Sequence, residues 1–132
     1  MKPTKSTQEE NKQDPSTTSS TNYKVIPTDV FVSEAKKLAK KYPHIKNDFH
    51  ELQKQLKKDP ISGNDSLGQS CYKVRMPISD KNKGQSGGAR VIIEVKVIDK
   101  IVYVLSVYDK SVRENLLEGE LNKLLQKSGA KE

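Results

Sequence analysis

The chain has one cysteine, two histidines, two phenylalanines and no tryptophan among 132 residues. A lone Cys71 cannot close an intrachain disulfide, and with only His44 and His50 beside it no Cys- and His-rich zinc site can form. Apolar runs fall far short of the ~20 residues a membrane helix needs. The opening residues lack the apolar core of a secretion signal. The expectation is a cytoplasmic protein with no membrane partner, and a single free thiol suits a reducing compartment. Acid is also scarce: 17 Asp and Glu face 24 Lys and Arg, a formal net charge of +7. That surplus points to an anionic partner, nucleic acid first. With 33% apolar residues, the chain can build one small core.

Residues 1–22 hold Ser, Thr, Gln, Asn, charged residues and two prolines, with Met1 the only large apolar side chain. Such a segment cannot offset its ordering entropy and reads as a disordered tail. Its charges cancel (Lys2, Lys5 and Lys12 against Glu9, Glu10 and Asp14), so the surplus belongs to a folded domain over 23–132. That domain opens with a short β-rich run, Tyr23 to Ile26, ended by Pro27. Thr28 and Asp29 offer N-cap oxygens. Phe31, Ala35, Leu38 and Tyr42 mark one helical face, stopped by Pro43; Ile45, Phe49, Leu52 and Leu56 mark a second, closed by Pro60. These helices form an αα-hairpin whose apolar stripes need a sheet to cover.

Residues 62–69 read as a polar loop. From Cys71 to Ile78 the chain alternates, with Tyr72, Val74, Met76 and Ile78 on one face and Cys71, Lys73 and Arg75 on the other. A long β-branched run, Ala89 to Ile98, and a strand, Ile101 to Val107, form a hairpin about an Asp99-Lys100 turn. Leu117, Leu121 and Leu124 give a last helical stripe, with Gly129 as its C-cap. The expected fold class is α+β: β-α-α-β-β-β-α, an antiparallel-rich sheet packed against the αα-hairpin, with a C-terminal helix.

The basic charge is uneven. Residues 33–59 carry eight Lys and four acids, which i, i+4 spacing explains as a solvated face. Residues 73–90 carry five cations, Lys73, Arg75, Lys81, Lys83 and Arg90, against the single acid Asp80. Lys73 and Arg75 share a strand face, Arg90 starts the neighbouring strand, and the connecting loop supplies the other two. A hairpin gathers all five at one concave face. Two exposed cations on a wet sheet face are ordinary by themselves; the convergence is what points to binding. The stretch Lys83-Gly84-Gln85-Ser86-Gly87-Gly88-Ala89-Arg90 lacks the ending of a P-loop. Alone it reads as a turn, and beside the strand cations as an anion-binding loop. His44 and His50 sit on the helical hairpin and read as structural or surface residues.

Tyr72-Lys73-Val74-Arg75-Met76, then 83–92, then Val107-Tyr108-Asp109-Lys110-Ser111, in that order after the opening 23–28, resemble the RelE/ParE superfamily of bacterial toxins, nearest its HigB-like and RelE-like branch. The resemblance covers about residues 22–127. It implies a small RelE-like domain, the toxin of a type II toxin–antitoxin pair. It also implies an endoribonuclease that cuts mRNA on the ribosome and a cognate antitoxin protein that neutralises it. Lys73 and Arg75 match strand residues that hold the RNA backbone in relatives. Arg90 matches the arginine at the scissile phosphate, and Tyr108, Asp109 and Lys110 match a further functional segment. Lys81, Lys83 and Lys110 are the added RNA-binding candidates. Some relatives place an acid/base tyrosine near the C-terminus; this chain has Leu116 and Leu117 there.

RNA cleavage through the 2′-OH needs a base, cations for the phosphorane charge and an acid for the leaving 5′-oxygen. No acidic metal-binding cluster is visible in the sequence, so a route without metal or small-molecule cofactor is expected. Arg75 and Arg90 stay protonated and can only stabilise charge. Lys73 can be a base if neighbouring cations depress its pKa. Asp109 is a candidate base and Tyr108 a candidate acid or stacking group, although Tyr-Asp-Lys-Ser also reads as a turn with a helix N-cap. The alternative function is that of ParE-type relatives, which bind DNA gyrase without cutting anything. The antitoxin segment for so basic a face is expected to be acidic and apolar, and disordered until bound.

Overall fold

The first strand pairs with the last. In the computed structural model, which describes residues 22–81 and 87–128, β1 (Lys24–Pro27) runs parallel to β5 (Ile101–Asp109), with Lys24 opposite Ile101 and Pro27 opposite Val104. The sheet has five strands in the order β1-β5-β4-β3-β2, and every other pairing is antiparallel. Between β1 and the rest of the sheet come α1 (Asp29–Lys41) and α2 (Ile45–Lys58). After β5 comes α3 (Glu120–Ser128). The expected tail, Lys83 and Gly129 lie outside the described residues.

The helices start and stop for local reasons. Thr28 caps α1 by accepting from the Phe31 N–H, and its own hydroxyl donates to the Val104 carbonyl at 2.9 Å, tying the helix start to β5. Pro43 ends α1. At the start of α2 His44 makes no side-chain cap, and Asp80 takes over by accepting from the His44 N–H at 2.9 Å. The two apolar stripes meet through Phe31 and Phe49, edge to face at 5.3 Å. They bury against Val74, Met76, Val91, Ile93 and Val107 on one sheet face.

The opposite face is covered too, by α3 and the segment before it. Leu116, Leu121, Leu124 and Leu125 pack over Cys71, Ile92, Leu105 and Tyr108. The idea of one wet face is therefore corrected: β4 (Ala89–Lys96) is buried from Ala89 to Val95, as befits a strand covered on both sides. Cys71 lies in this second core, and burial pushes its thiol up to about 12, with Glu94 adding to the rise.

Three boundaries differ from expectation. Residues 62–69 contain a strand, β2 (Asp65–Gly68), paired with β3 (Cys71–Met76). Its hairpin turn is Gln69-Ser70, both at positive φ, which the right-twisted two-residue turn requires but these residue types do not advertise. β4 stops at Lys96 rather than Ile98, and the connection to β5 is the four residues from Val97 to Lys100, with Ile98 93% exposed. Leu117 stands outside α3 and is exposed. A bulge leaves Leu105 unpaired between Ser106↔Ile92 and Val104↔Ile93. Glu34 of α1 repairs it, accepting from the Val107 N–H and the Ser106 hydroxyl.

Candidate functional site

Where β3 and β5 end and β4 begins, the ladder sets Arg75 opposite Arg90 and Arg90 opposite Tyr108, three side chains abreast on the α3 face. Lys73 lies two residues back on the same face. Two like charges directly opposite repel, and each arginine has its own acid. Arg75 reaches outward to Asp65 of β2 at 3.0 Å, both groups near half exposed. Arg90 turns inward, 2% exposed, and donates to Glu114 at 3.2 Å and to the Ala89 carbonyl. Lys73, also buried, donates to the same Glu114 oxygen at 3.2 Å and to Asn115 Oδ1 at 2.7 Å. Lys110 approaches the other oxygen of Glu114 at 3.9 Å. One carboxylate thus joins three of the cations predicted from sequence. The Lys73 hydrogen bond, opposed by some desolvation and helped by Arg90, holds Glu114 below the usual carboxylate range.

Tyr108 borders this cluster. Its hydroxyl donates to the Glu114 carbonyl at 3.2 Å, and the Arg113 guanidinium lies 4.4 Å over its ring. Burial raises its pKa. Arg113 is fixed by two short bonds to Glu120 at the start of α3. Next to the cluster lies a cleft of about 210 Å³. Leu67, Ile92, Leu116 and Leu121 form its apolar walls, and Lys73, Tyr108 and Asn115 its polar ones.

Asp109 points the other way, into the helix-side core, as the next residue along a strand must. It is 3% exposed and accepts four hydrogen bonds: from Tyr42, from Lys81, and from the Ser111 N–H and hydroxyl. Burial alone would raise its pKa, but these donors overcome it and hold the carboxyl well below its ordinary value. Burial and the Asp109 carboxylate push Tyr42 up to about 12. Lys81 is spent on Asp109 and on the Gly87 carbonyl. Gly88 is required by close approach: a Cβ there would lie 2.1 Å from the Met76 carbonyl oxygen. The Gly88 carbonyl in turn accepts from the Lys110 N–H.

The expected concave gathering of five cations is thereby divided. Lys73 and Arg90 converge, joined by Lys110, which is not one of the five; Arg75 stands at the β2 side, Lys81 is drawn to Asp109 on the other face, and Lys83 lies outside the described residues. The Asp109 turn leads into no helix, so the N-cap reading of 108–111 is corrected. Sequence reading missed Glu114 and Asn115, which sit in a stretch without periodicity. It also missed the Tyr42 hydroxyl, hidden at the end of an apolar stripe. His44 lies 2.7 Å from Asp80 and stays largely exposed. Among the described residues no group of three or more His, Cys, Asp or Glu could hold a metal ion, and no helix is long and apolar enough to cross a membrane.

Residues 23–131 match the family described as the RelE toxin of the RelE/RelB toxin–antitoxin system. Among curated proteins no sequence matches. A solved structure with the same fold is that of a mutant of the E. coli toxin RelE in the free state: 17% identity, TM-score 0.51, covering 83% of this chain and 97% of that one.

Proposed function

This chain belongs to the RelE toxin family, and from that premise we propose that it is a ribosome-dependent endoribonuclease that cuts mRNA and stops translation. The observation that carries the reading is the convergence of Lys73, Arg90 and Lys110 on one carboxylate at the sheet end. A seat that satisfies a carboxylate with two buried donors also suits the non-bridging oxygens of a phosphodiester. In this reading the 2′-oxygen attacks the adjacent phosphorus, the bond to the 5′-oxygen breaks, and the 2′-OH proton goes to a base while the leaving oxygen gains one. Lys73 and Arg90 stabilise the charge on the phosphorane. Arg75 and Lys110, both partly exposed, hold the backbone on either side, and Lys83, outside the described residues, is a further RNA-binding candidate.

The proton-transfer roles of Asp109 and Tyr108 have less support. A carboxylate already accepting four hydrogen bonds is a poor proton acceptor, and its geometry favours holding Lys81 and the 109–111 turn. Tyr108 suits a positioning part, with its hydroxyl on the Glu114 carbonyl. The same observation favours the second reading, a non-enzymatic ParE-like toxin acting on gyrase, because such a protein needs no base. An antitoxin carrying acidic and apolar residues would cover the basic sheet end, where Val112 and Leu117 are exposed.

Primer extension on an mRNA in a cell-free translation reaction, with and without ribosomes, decides between the two. The full chain is compared with a Lys73→Ala, Arg75→Ala, Arg90→Ala variant whose folding is checked by circular dichroism. New 5′ ends that need ribosomes and vanish in the variant support the nuclease. Intact mRNA beside inhibited gyrase supercoiling supports the binder.

A further inference from the structure

Lys73 and Arg90 are the cations best placed for a phosphate, yet neither is open to one. Arg90 is 2% exposed and the Lys73 side chain 10%. Glu114, 40% exposed, lies over both. We propose that Glu114 is an internal competitor of the RNA phosphate: its carboxylate fills the seat built by Lys73 and Arg90 and must leave before a phosphodiester enters. This rests on the RNA reading above and goes beyond it by making access to the seat an exchange of one anion for another.

The exchange is chemically even. A carboxylate and a phosphodiester each bring one negative charge over two oxygens. One oxygen of Glu114 accepts from both Lys73 and Arg90, and Asn115 adds a neutral acceptor to Lys73, so a single anionic oxygen is what the seat would exchange. Two buried cations without any counter-charge would be costly, which explains why the protein fills the seat itself when RNA is absent. An exit exists. The second oxygen of Glu114 already faces Lys110 on the surface at 3.9 Å, so a rotation outward trades the buried partners for an exposed one. Glu114 stands between β5 and α3 in no helix or strand, which leaves its side chain room to rotate.

The test uses the full chain and a short single-stranded 2′-O-methyl RNA, which cannot be cut, with binding read by fluorescence anisotropy. Glu114→Gln removes the charge, and Glu114→Asp keeps the charge but cannot span the seat. Glu118→Gln makes the same charge change at an exposed site. Expected are an affinity gain of about ten-fold for Glu114→Gln, a smaller gain for Glu114→Asp, and no more than about two-fold for Glu118→Gln. Adding Lys73→Ala should erase the gain. Equal effects of Glu114→Gln and Glu118→Gln, with Glu114→Asp unchanged, overturn the competitor while leaving the RNA seat standing if Lys73→Ala still weakens wild-type binding. If Lys73→Ala alters RNA affinity in no background, the RNA reading falls and the competitor with it. Thermal melts of each variant identify any that fails to fold, and Glu114→Asp then carries the test.

Discussion

Two charge clusters lie back to back where β4 begins and β5 ends, their acids Asp109 and Glu114 close together in sequence. On the helix side, buried Asp109 accepts four hydrogen bonds, from Tyr42, Lys81 and the Ser111 N–H and hydroxyl. On the α3 side, Glu114 meets two buried cations with one half-exposed carboxylate, and its remaining oxygen is loosely held. The components are the same: one acid, cations, a tyrosine. What differs is saturation. A carboxylate that accepts four hydrogen bonds and is buried from solvent is architecture, since moving it strands a buried charge. A carboxylate that caps cations from the solvent side can be exchanged.

The comparison breaks first at Asp109. Asp109→Ala removes the acid that Lys81 and Tyr42 share, leaving Lys81 only the neutral Gly87 carbonyl, and should cost about 3–5 kcal/mol in urea unfolding, whereas Glu114→Gln should fold with a much smaller change. The pH dependence carries the same contrast. The folded pKa of Asp109 is depressed, so its stabilisation is complete above the ordinary carboxylate pKa and drains away as pH falls from about 4 toward the folded value. Asp109→Asn should lack that acid-side loss, and unfolding curves collected from pH 5 downward would show it. Gly88→Ala comes next, at about 3 kcal/mol, because the Met76 carbonyl is backbone and cannot step aside. Tyr42→Phe removes one hydrogen bond to a charged group and should cost about 1.5–3 kcal/mol. Smallest is Arg75→Ala: its exposed pair with Asp65 is worth under about 1 kcal/mol. Ribosome-dependent cleavage should nonetheless fall about ten-fold if Arg75 holds the RNA backbone.

Most of the fold was legible because its signals are local. Pro43 and Pro60 end helices, Phe31 to Leu38 and Ile45 to Leu56 repeat at helical spacing, and Lys73 and Arg75 alternate with core residues. The strand β2 was not, because its turn relies on Gln69 and Ser70 in a conformation that Gly or Asn would have announced. The cation set was legible as charge, but its division between two faces was not. That division depends on Lys81 reaching Asp109 across 28 positions and on Lys73 reaching Glu114 across 41. Such pairings are made by the sheet, and no spacing along the chain encodes them.

The parallel pairing of β1 with β5 also sets an order of events during synthesis. β1 leaves the ribosome early and can find no partner until residues 101–104 have been made. Until then the stripes of α1 and α2 have only part of their sheet to cover, and such long-range closure is slow compared with forming the helices. The anion seat is later still, since Glu114 follows the whole of β5. A chain that acts on ribosomes, as proposed here, would thus acquire its working surface only after β5 and the segment beyond it have been made.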